Sequence, residues 1–488
     1  MPVATTLGGL IVGVITEKLA PEAEGHGTGT ALRAFHRAEG FIRARVPPLK
    51  LLASAITIGS GGAAGREGPI ALVAGGIGSW YATITGRSDR ERRLLLLTGL
   101  AAGLSAIFRS PIGTALLAVE VPYSDMEFEG GALLYTMLAS IVAYAVNGLF
   151  VGWKPLFEIP EILTHPRSIE YVWYVVLGIV AGLVATILPL IFYGMRDAFR
   201  RLRVKKFLKP AIGGLGMGLL AVAVPQVIGG GYGWIQQAID GQLLMGTLFV
   251  LIFAKMVALG LTVSSGGSGG VFAPSLFTGA TLGAFFASLF HQSSAAFAVV
   301  GMAAVFAGAA HVPLATLMMV TEMTGGYTLL VPAALAVTIS YIVQTRLARG
   351  LPYRSLYESQ VPSRADSPAH HSEHLRIALR ILKERQHPLP QDVGHLDVLS
   401  FLRFGIPVEL YEGRFLAIGV LRAKSAYVDQ LVGEDSAGLP EDTDIIAIIH
   451  GERMMAARPD TVLKAGDRLI LVTPRSGLEA LKEHVDKW

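Results

Sequence analysis

Long apolar stretches, many of them interrupted by glycine or proline, run through this chain from residue 48 to residue 346. A helix needs about 20 apolar residues to cross the ~30 Å hydrocarbon core upright, and several of these stretches are shorter. Helices that break near mid-membrane fit this pattern. We therefore predict an all-α polytopic membrane protein with broken helices. The stretches cover residues 48–60, 68–85, 94–121, 132–152, 170–194, 211–228, 243–263, 271–290, 295–321 and 328–346.

Composition excludes several classes of protein. The 488 residues are 52% hydrophobic and 16% charged, with a mean hydropathy of +0.52, which is too apolar for a soluble enzyme of this size. The chain has no cysteine, and we find neither an HExxH motif nor a nucleophile–base pair beside a glycine-rich turn, so we predict neither a metal centre nor an enzyme. A net charge of +4 gives little support for nucleic-acid binding. The basic loops 87–93 and 196–209 are expected on the cytoplasmic side of the cell membrane.

A lone carboxylate, Glu67, stands in the glycine-rich stretch 61–69 between apolar runs. The Gly68-Pro69 pair is compatible with a helix that starts there. A helix N-terminus can hold either a mobile anion or the Glu67 side chain, in competition. The structural alternative is an acid satisfied by backbone donors at a helix start. Because an ionisable residue in an apolar membrane setting is functional by default, we favour a gate at an anion site.

An internal repeat relates two parts of the apolar region. Gly65–Pro69 has a counterpart in Gly270–Pro274, and each opens an apolar run. Downstream, Pro111 and Glu120 correspond to Pro313 and Glu322, and the Pro-to-Pro intervals are 42 and 39 residues. Two homologous halves would bring two broken helices to one site, one carrying Glu67 and the other Phe272.

We interpret both Glu120 and Glu322 as structural or interfacial carboxylates. Lys50 either makes the pathway positive or snorkels to the interface.

After Tyr357 the composition becomes that of a soluble protein. A polar linker at 363–373 and an amphipathic helix at 375–386 fall within a connecting region, 359–400. Residues 401–488 then read as a small α/β module. Its predicted strands are 406–410, 415–421, 444–449 and 468–472, with a turn at 465–467 and a final helix at 478–485.

Three ordered motifs carry a family resemblance: APEAEGHGTG at 20–29, GREGP at 65–69 and GSGGVFAP at 267–274. Residues 1–358 resemble the chloride-conducting CLC family. The resemblance implies an inverted internal repeat and a homodimer in the lipid bilayer with one pathway per subunit. It implies chloride as the transported ligand, without a cofactor. By the same resemblance the family's first membrane helix, and part of its second, are missing ahead of Met1.

The resemblance also assigns roles to residues. Glu67 matches the external gating glutamate, and the backbone amides of Val271 and Phe272 match those that coordinate the central anion. Tyr353 matches the tyrosine that closes the pathway from the inner side, with Tyr357, four residues later, as its rival. The predicted anion-binding set is His26, Gly27, Arg66, Gly68, Val271, Phe272 and Tyr353. For Arg66, pairing with a neighbouring acid or with carbonyls is the alternative.

Two positions depart from the family pattern. Where the first motif usually has a serine that donates to the anion, this chain has His26. A neutral imidazole can still donate, and protonation near its ordinary pKa of about 6.5 would make binding pH-sensitive. A structural helix-end role for His26, and a fluoride preference, remain alternatives. Where exchangers carry an inner glutamate, this chain has Val121, so we favour a passive chloride channel gated by Glu67 over a proton-coupled chloride antiporter.

The soluble tail resembles the C-terminal regulatory (TrkA-C) domain of RCK proteins, through its 444–449 strand and the AGDRLILV run at 465–472. This resemblance implies a cytoplasmic module that dimerises and that can bind a small ligand such as a cyclic dinucleotide. Ligand-dependent gating and simple dimerisation are both compatible with it. A ligand-sensing regulatory protein with a vestigial pore is the competing function from another class.

Overall fold

The computed structural model describes residues 1–159, 168–364, 367–369, 407–411, 413–422, 425–432, 440, 442–450, 453–481 and 485–486. Two compact units, Met1–Ser363 and Arg364–Trp488, divide the chain, and each is described by itself. The amphipathic helix predicted at 375–386 lies outside the described residues, as does most of the linker predicted at 363–373.

The first unit is helical throughout its described part. Two π-helical turns, Ile15–Leu19 and Gly260–Ser264, extend α1 and α11, and short 3₁₀ turns include Pro21–Ala23 and Pro225–Val227. The α-helices are α1 (Pro2–Val14), α2 (Thr28–Arg37), α3 (Val46–Gly59), α4 (Glu67–Ile84), α5 (Asp89–Phe108), α6 (Pro111–Glu120), α7 (Leu133–Val151), α8 (Tyr171–Arg201), α9 (Lys209–Ala223), α10 (Tyr232–Ile239), α11 (Met245–Leu259), α12 (Phe272–Phe290), α13 (Ser294–Ala310), α14 (Pro313–Thr324) and α15 (Leu330–Leu347).

The helices differ in length as the apolar pattern predicts. Among the described residues, seven helices are long and apolar enough to cross a membrane, α8 being the longest at 31 residues. Others are apolar but too short to span, namely α3, α6 and α13. The prediction of a polytopic helical protein with interrupted helices is confirmed. The short helices begin or end inside the protein, where their terminal backbone groups can face one another or a cavity.

The repeat is visible in the backbone hydrogen bonds. Gly65 and Gly270 pair as an antiparallel bridge at the point where the two halves meet. The N–H of Gly25 donates to Gly267 O at 2.9 Å, and in the other half the N–H of Gly229 donates to Gly62 O at 3.2 Å. The repeat therefore extends upstream of the motifs that revealed it, to the turns that precede α2 and α10.

Two carboxylates each cap the first turn of a helix in the opposite half. Glu120, at the end of α6, accepts from the N–H groups of Leu314 (3.1 Å) and Ala315 (2.7 Å) in the first turn of α14. Glu322, in the last turn of α14, accepts from Ile112 (3.2 Å) and Gly113 (2.9 Å) in the first turn of α6. Each carboxylate satisfies donors that a helix start leaves without an intrahelical partner. The structural interpretation of these acids therefore agrees with their contacts.

The second unit contains an antiparallel sheet with the order β1-β2-β5-β3-β4, and β6 pairs with β2. Buried apolar residues of β2, β3 and β5, including Ala417, Ile448 and Leu471, form its core. The strands are β1 (Val408–Tyr411), β2 (Arg414–Leu421), β3 (Asp444–His450), β4 (Arg453–Ala456), β5 (Arg468–Pro474) and β6 (Val485–Asp486), and α16 is Arg475–Leu481.

Two features of this unit differ from the sequence prediction. The final helix begins at Arg475, directly after β5, and ends at Leu481, so the predicted span 478–485 is wrong at both ends. Its apolar positions Leu478 and Leu481 pack on the sheet core, which fixes the helix close to the strand. Strand β4 was not predicted, because a four-residue edge strand is too short to show an alternating pattern.

Candidate anion pathway

Three helix N-termini, those of α2, α4 and α12, converge at glycine-rich turns. A Cβ atom on Gly27, where φ is +84°, would lie 2.4 Å from Gly68 O, and one on Gly68 would lie 2.0 Å from His26 O. A Cβ on Gly270 would lie 2.8 Å from Gly68 N. Only glycine allows backbones to approach this closely. The turns therefore aim three sets of N–H donors, and three positive dipole ends, at one region.

Glu67 occupies that region. Its side chain belongs to the first residue of α4 and is 1% exposed. Oε1 accepts a hydrogen bond from the hydroxyl of Tyr232, and the carboxylate also interacts with the backbone N–H groups of Glu67 and Ala273. Oε2 forms no hydrogen bond of good geometry with the described residues. The carboxylate thus takes the place, at the starts of α4 and α12, that suits a mobile anion.

A small cavity of 10 Å³ adjoins this carboxylate, and it has room for about one water molecule. It brings together Glu67, Gly68, Val271 and Phe272 from the predicted site, and it also includes Val121. Its other lining residues are Thr28, Leu100, Leu104, Leu117 and Tyr357. Val121, the position predicted to have lost a proton carrier, therefore lines the same cavity as the gate residue Glu67.

The tyrosine at this cavity is Tyr357, so the preference for Tyr353 needs correction. Tyr353 donates its hydroxyl to Asp197 and stacks on Tyr193, with ring centroids 4.7 Å apart. The segment after α15 is fixed by Leu356, whose N–H donates to Ala309 O at 2.8 Å and whose carbonyl accepts from the Tyr193 hydroxyl at 2.7 Å. This anchoring turns Tyr357 inward, where its ring is 5.5 Å from that of His26.

His26 precedes α2 and contacts its first turn. Nδ1 accepts from the N–H of Gly29 at 3.2 Å, so in the neutral ring the proton is on Nε2. The ring lies between Tyr357 and Phe192, whose centroid is 6.4 Å away. His26 therefore stabilises the helix start and keeps one N–H as a potential donor. The helix-end role and the anion-donor role use different nitrogens and are compatible.

A second, larger cavity of 1020 Å³ opens on the other side of His26. It is lined by residues of the 196–209 loop, so it lies on the side predicted to be cytoplasmic. Acidic residues on its wall are Glu22, Glu24 and Glu358, and basic ones are Arg33, Arg37, Arg43, Arg196, Arg200, Lys206 and Lys209. The excess of cations concentrates anions at this entrance.

Two buried lysines hold equivalent turns in the two halves. Lys50 Nζ donates to the carbonyls of Ala23 (3.0 Å) and Gly25 (2.6 Å), and Lys255 Nζ donates to those of Val227 (2.8 Å) and Gly229 (2.7 Å). Both side chains are fully buried, so Lys50 does not snorkel. Sequence reasoning missed Lys255. Its signal was spacing, since Lys50 lies 17 residues before Glu67 and Lys255 lies 17 residues before Phe272.

Arg66 and Tyr232 complete the surroundings of the gate. Arg66 is exposed and does not line the small cavity; its guanidinium lies 5.4 Å from the centroid of the Tyr232 ring. The pairing of Arg66 with an acid or a carbonyl stays a prediction. Tyr232 was missed, although the repeat could have found it. In the two turns held by the lysines, Gly27-Thr28 corresponds to Gly231-Tyr232, and both Thr28 and Tyr232 begin helices that face Glu67.

Comparisons with known proteins cover both units. A family model described as voltage gated chloride channel matches residues 8–345, and one described as TrkA-C domain matches residues 420–486. The H(+)/Cl(−) exchange transporter ClcA of Cronobacter sakazakii is 32% identical over 359 residues, covering 71% of this chain and 75% of that protein. The ClcA of Salmonella agona is 32% identical over 375 residues, covering 73% and 78%.

Solved structures share the fold. A slow cyanobacterial Cl⁻/H⁺ antiporter superposes with a TM-score of 0.66 at 22% identity, covering 72% of this chain and 84% of that one. A CLC-type fluoride/proton antiporter superposes with a TM-score of 0.66 at 23% identity, covering 74% and 88%. At this identity the likeness concerns the arrangement of helices.

Proposed function

Because this chain belongs to the voltage-gated chloride channel (CLC) family and carries a TrkA-C domain, we propose that it is a chloride/proton antiporter of the cell membrane. This proposal reverses the preference of the sequence analysis for a passive channel. Its support is the name of the relatives, H(+)/Cl(−) exchange transporter, at 32% identity over most of the membrane unit. The proposed activity is transport, without an enzymatic reaction.

The observation that carries the proposal is the position of the Glu67 carboxylate. It is buried at the starts of α4 and α12 and interacts with backbone N–H groups there. Such donors can replace the hydration of chloride without a fixed charge that would bind the ion too tightly. Ionised Glu67 occupies the anion position. A proton that reaches the carboxylate removes its charge, releases it from the donors and lets chloride enter, so proton and chloride use the position alternately.

Val121 is the observation that favours the passive channel as a second candidate. It lines the same small cavity as Glu67, and a valine cannot accept a proton. In an antiporter of this sequence the proton therefore crosses the inner half of the membrane on water or on another acid. In a channel no such crossing takes place, and protonation of Glu67 only gates the flow of chloride.

A gradient experiment separates the two candidates. Purified protein in vesicles is placed under opposed chloride and proton gradients, and the reversal potential is measured. A passive chloride channel reverses at the chloride equilibrium potential whatever the proton gradient, whereas an antiporter reverses at a potential that shifts with it. Glu67→Gln serves as the control, since it removes the proton acceptor. The same measurement with fluoride and nitrate gives the order of anion preference.

We also propose that the protein is a homodimer and that its tail lies in the cytoplasm. Arg346 lies in the last turn of α15, and Arg349 and Arg354 follow that helix, so the positive-inside rule places this end of α15 on the cytoplasmic side. Protease digestion of the tail in inside-out vesicles, but not in right-side-out ones, would support this orientation.

For the TrkA-C domain we propose regulation by a small ligand such as a cyclic dinucleotide, tested by its effect on chloride flux.

A further inference from the structure

Within the described residues, Tyr232 is the one side chain that donates a hydrogen bond to the Glu67 carboxylate. It is the first residue of α10 and follows Gly231, whose φ is +84°. A Cβ atom on Gly231 would lie 2.5 Å from the Phe277 ring, so glycine is needed for this turn to approach α12. The backbone thereby brings the Tyr232 hydroxyl to the start of α4.

The Tyr232 ring contacts the side chains of Phe157 and Arg66. The Phe157 ring is stacked on it, with centroids 5.8 Å apart and an interplanar angle of 24°, and the Arg66 guanidinium lies 5.4 Å from its centroid. Phe157 is 2% exposed, although it belongs to the segment 153–159 that follows α7, which we name the strap. In the sequence the strap follows α7 and precedes α8.

The strap is fastened to α10 and to α14. The N–H of Glu158 donates to Gln236 Oε1 at 3.0 Å, and Gln236 Nε2 donates to Glu158 O at 2.7 Å. The N–H of Phe157 donates to Met323 O at 2.9 Å. Gln236 lies one turn after Tyr232 on α10. The strap therefore contacts α10 in two ways: Phe157 stacks on Tyr232, and Glu158 forms two hydrogen bonds with Gln236.

Resting on the proposed function, we propose that Tyr232 is a positioning residue that retains the Glu67 carboxylate in the anion pathway, and that the strap, through Phe157, keeps Tyr232 in place. A phenol hydroxyl that donates to a carboxylate stabilises the ionised form and leaves the protonated form without equal benefit. The Tyr232 hydroxyl therefore opposes both the protonation and the departure of Glu67.

Other charged and titratable groups face Glu67 from neighbouring elements. Arg66 precedes it, Lys255 on α11 interacts with it electrostatically, and Tyr357 borders the same cavity. The Lys255 ammonium donates to Val227 O and Gly229 O, so its hydrogen bonds are directed away from the carboxylate. These groups raise or lower the potential at Glu67, while Tyr232 contacts it directly.

Full-length Tyr232→Phe in vesicles tests the proposal. Chloride flux is measured from about pH 4, close to the ordinary glutamate pKa of about 4.3, to about pH 8. Without the hydroxyl, Glu67 takes up a proton at a lower proton concentration, so we expect half-maximal flux at a higher pH and a several-fold larger flux near neutral pH. Tyr327→Phe, at a side chain that is 59% exposed, is the matched control and should leave the profile unchanged.

A double variant separates positioning from a general structural effect. In the Glu67→Gln background there is no carboxylate to retain, so Tyr232→Phe should have no further effect on flux. A change of similar size in both backgrounds would overturn the proposal. Phe157→Leu should shift the profile in the same direction by less, and Phe249→Leu, a lipid-facing position on α11 that is 50% exposed, should not.

The outcomes distinguish this inference from the proposed function. If Glu67→Gln flattens the pH profile while Tyr232→Phe and Phe157→Leu leave it as in the natural protein, Glu67 still gates and Tyr232 does not position it. If Glu67→Gln itself leaves both pH dependence and proton coupling intact, the proposed function fails. Should Tyr232→Phe not insert, Phe157→Leu alone decides, because it leaves the hydroxyl present and removes only the stacking ring.

Discussion

Gly65 and Gly270 donate hydrogen bonds to each other, with Gly65 N to Gly270 O at 2.8 Å and Gly270 N to Gly65 O at 2.6 Å. This reciprocal pair joins equivalent turns of the two halves, two residues before Glu67 and two before Phe272. Two main-chain hydrogen bonds therefore connect the turns that precede α4 and α12. Changes of a few tenths of an ångström at either turn are transmitted to the carboxylate site.

Gly65→Ala should displace the gate. A Cβ atom there would lie 1.9 Å from Glu67 Oε2 and 3.2 Å from the Ala273 Cβ. The carboxylate is the movable partner, so we expect it to leave its seat and chloride flux to lose most of its pH dependence, as in Glu67→Ala. Flux against pH in vesicles measures this. Gly59→Ala, where a Cβ meets nothing within 4 Å, should behave as the natural protein, and equal profiles for both variants would contradict the steric argument.

Glu67→Gln and Glu67→Ala should keep chloride flux and lose its pH dependence. The donors at the starts of α4 and α12 remain in both variants, while the charge that competes with chloride is gone. The measurement is flux from about pH 4, close to the ordinary glutamate pKa of about 4.3, to about pH 8. Persistent gating in both variants would show that the blocking group lies elsewhere.

Glu120→Ala should destabilise the membrane unit more than Glu120→Gln. Alanine leaves the buried N–H of Ala315 and the partly buried N–H of Leu314 without acceptors, at a cost of about 1–3 kcal/mol for the buried group, while glutamine keeps one acceptor oxygen. Thermal unfolding in detergent should rank the midpoints as natural protein, then Gln, then Ala. The exposed Glu17→Ala is the control. Equal midpoints for Ala and Gln would indicate that the N–H groups find other partners.

Lys255→Met and Lys50→Met should both weaken chloride binding. Each ammonium is buried beside the convergent helix starts, so its removal lowers the positive potential there. We expect roughly tenfold weaker binding by calorimetry for each variant, equivalent to about 1.4 kcal/mol. Lys18→Met, at an exposed side chain, should bind as the natural protein does. An effect for one lysine only would mean that the halves contribute unequally.

Much of the membrane unit was predictable because its signals are local. Short apolar runs bounded by glycine or proline predicted interrupted helices, and the pentapeptides at 65–69 and 270–274 predicted the repeat. The resemblance to the CLC family is confirmed, as is the TrkA-C match. Positions of partners far apart in sequence were harder. Tyr232 meets Glu67 across 165 residues, and only an upstream extension of the repeat would have indicated it.

The choice between tyrosines shows a second limit. Tyr353 and Tyr357 are equivalent by residue type and close in sequence, and the motif alone favoured Tyr353. Which of them turns inward depends on the anchoring of Leu356 to Ala309 and Tyr193, contacts made by three separate elements. Likewise the inference of a passive channel from Val121 is opposed by relatives named as exchangers.

Because Glu120 and Glu322 each cap a helix of the other half, the order of synthesis affects how the protein folds. The ribosome delivers α6 long before α14, so the N–H groups of Ile112 and Gly113 enter the bilayer while their acceptor has not yet been synthesised. If the first half were expressed by itself, the N–H groups of Ile112 and Gly113 would lack their Glu322 acceptor. The last step of folding is therefore the docking of α14 on α6. In that step Glu322 accepts from the first turn of α6, and Glu120 accepts from the first turn of α14.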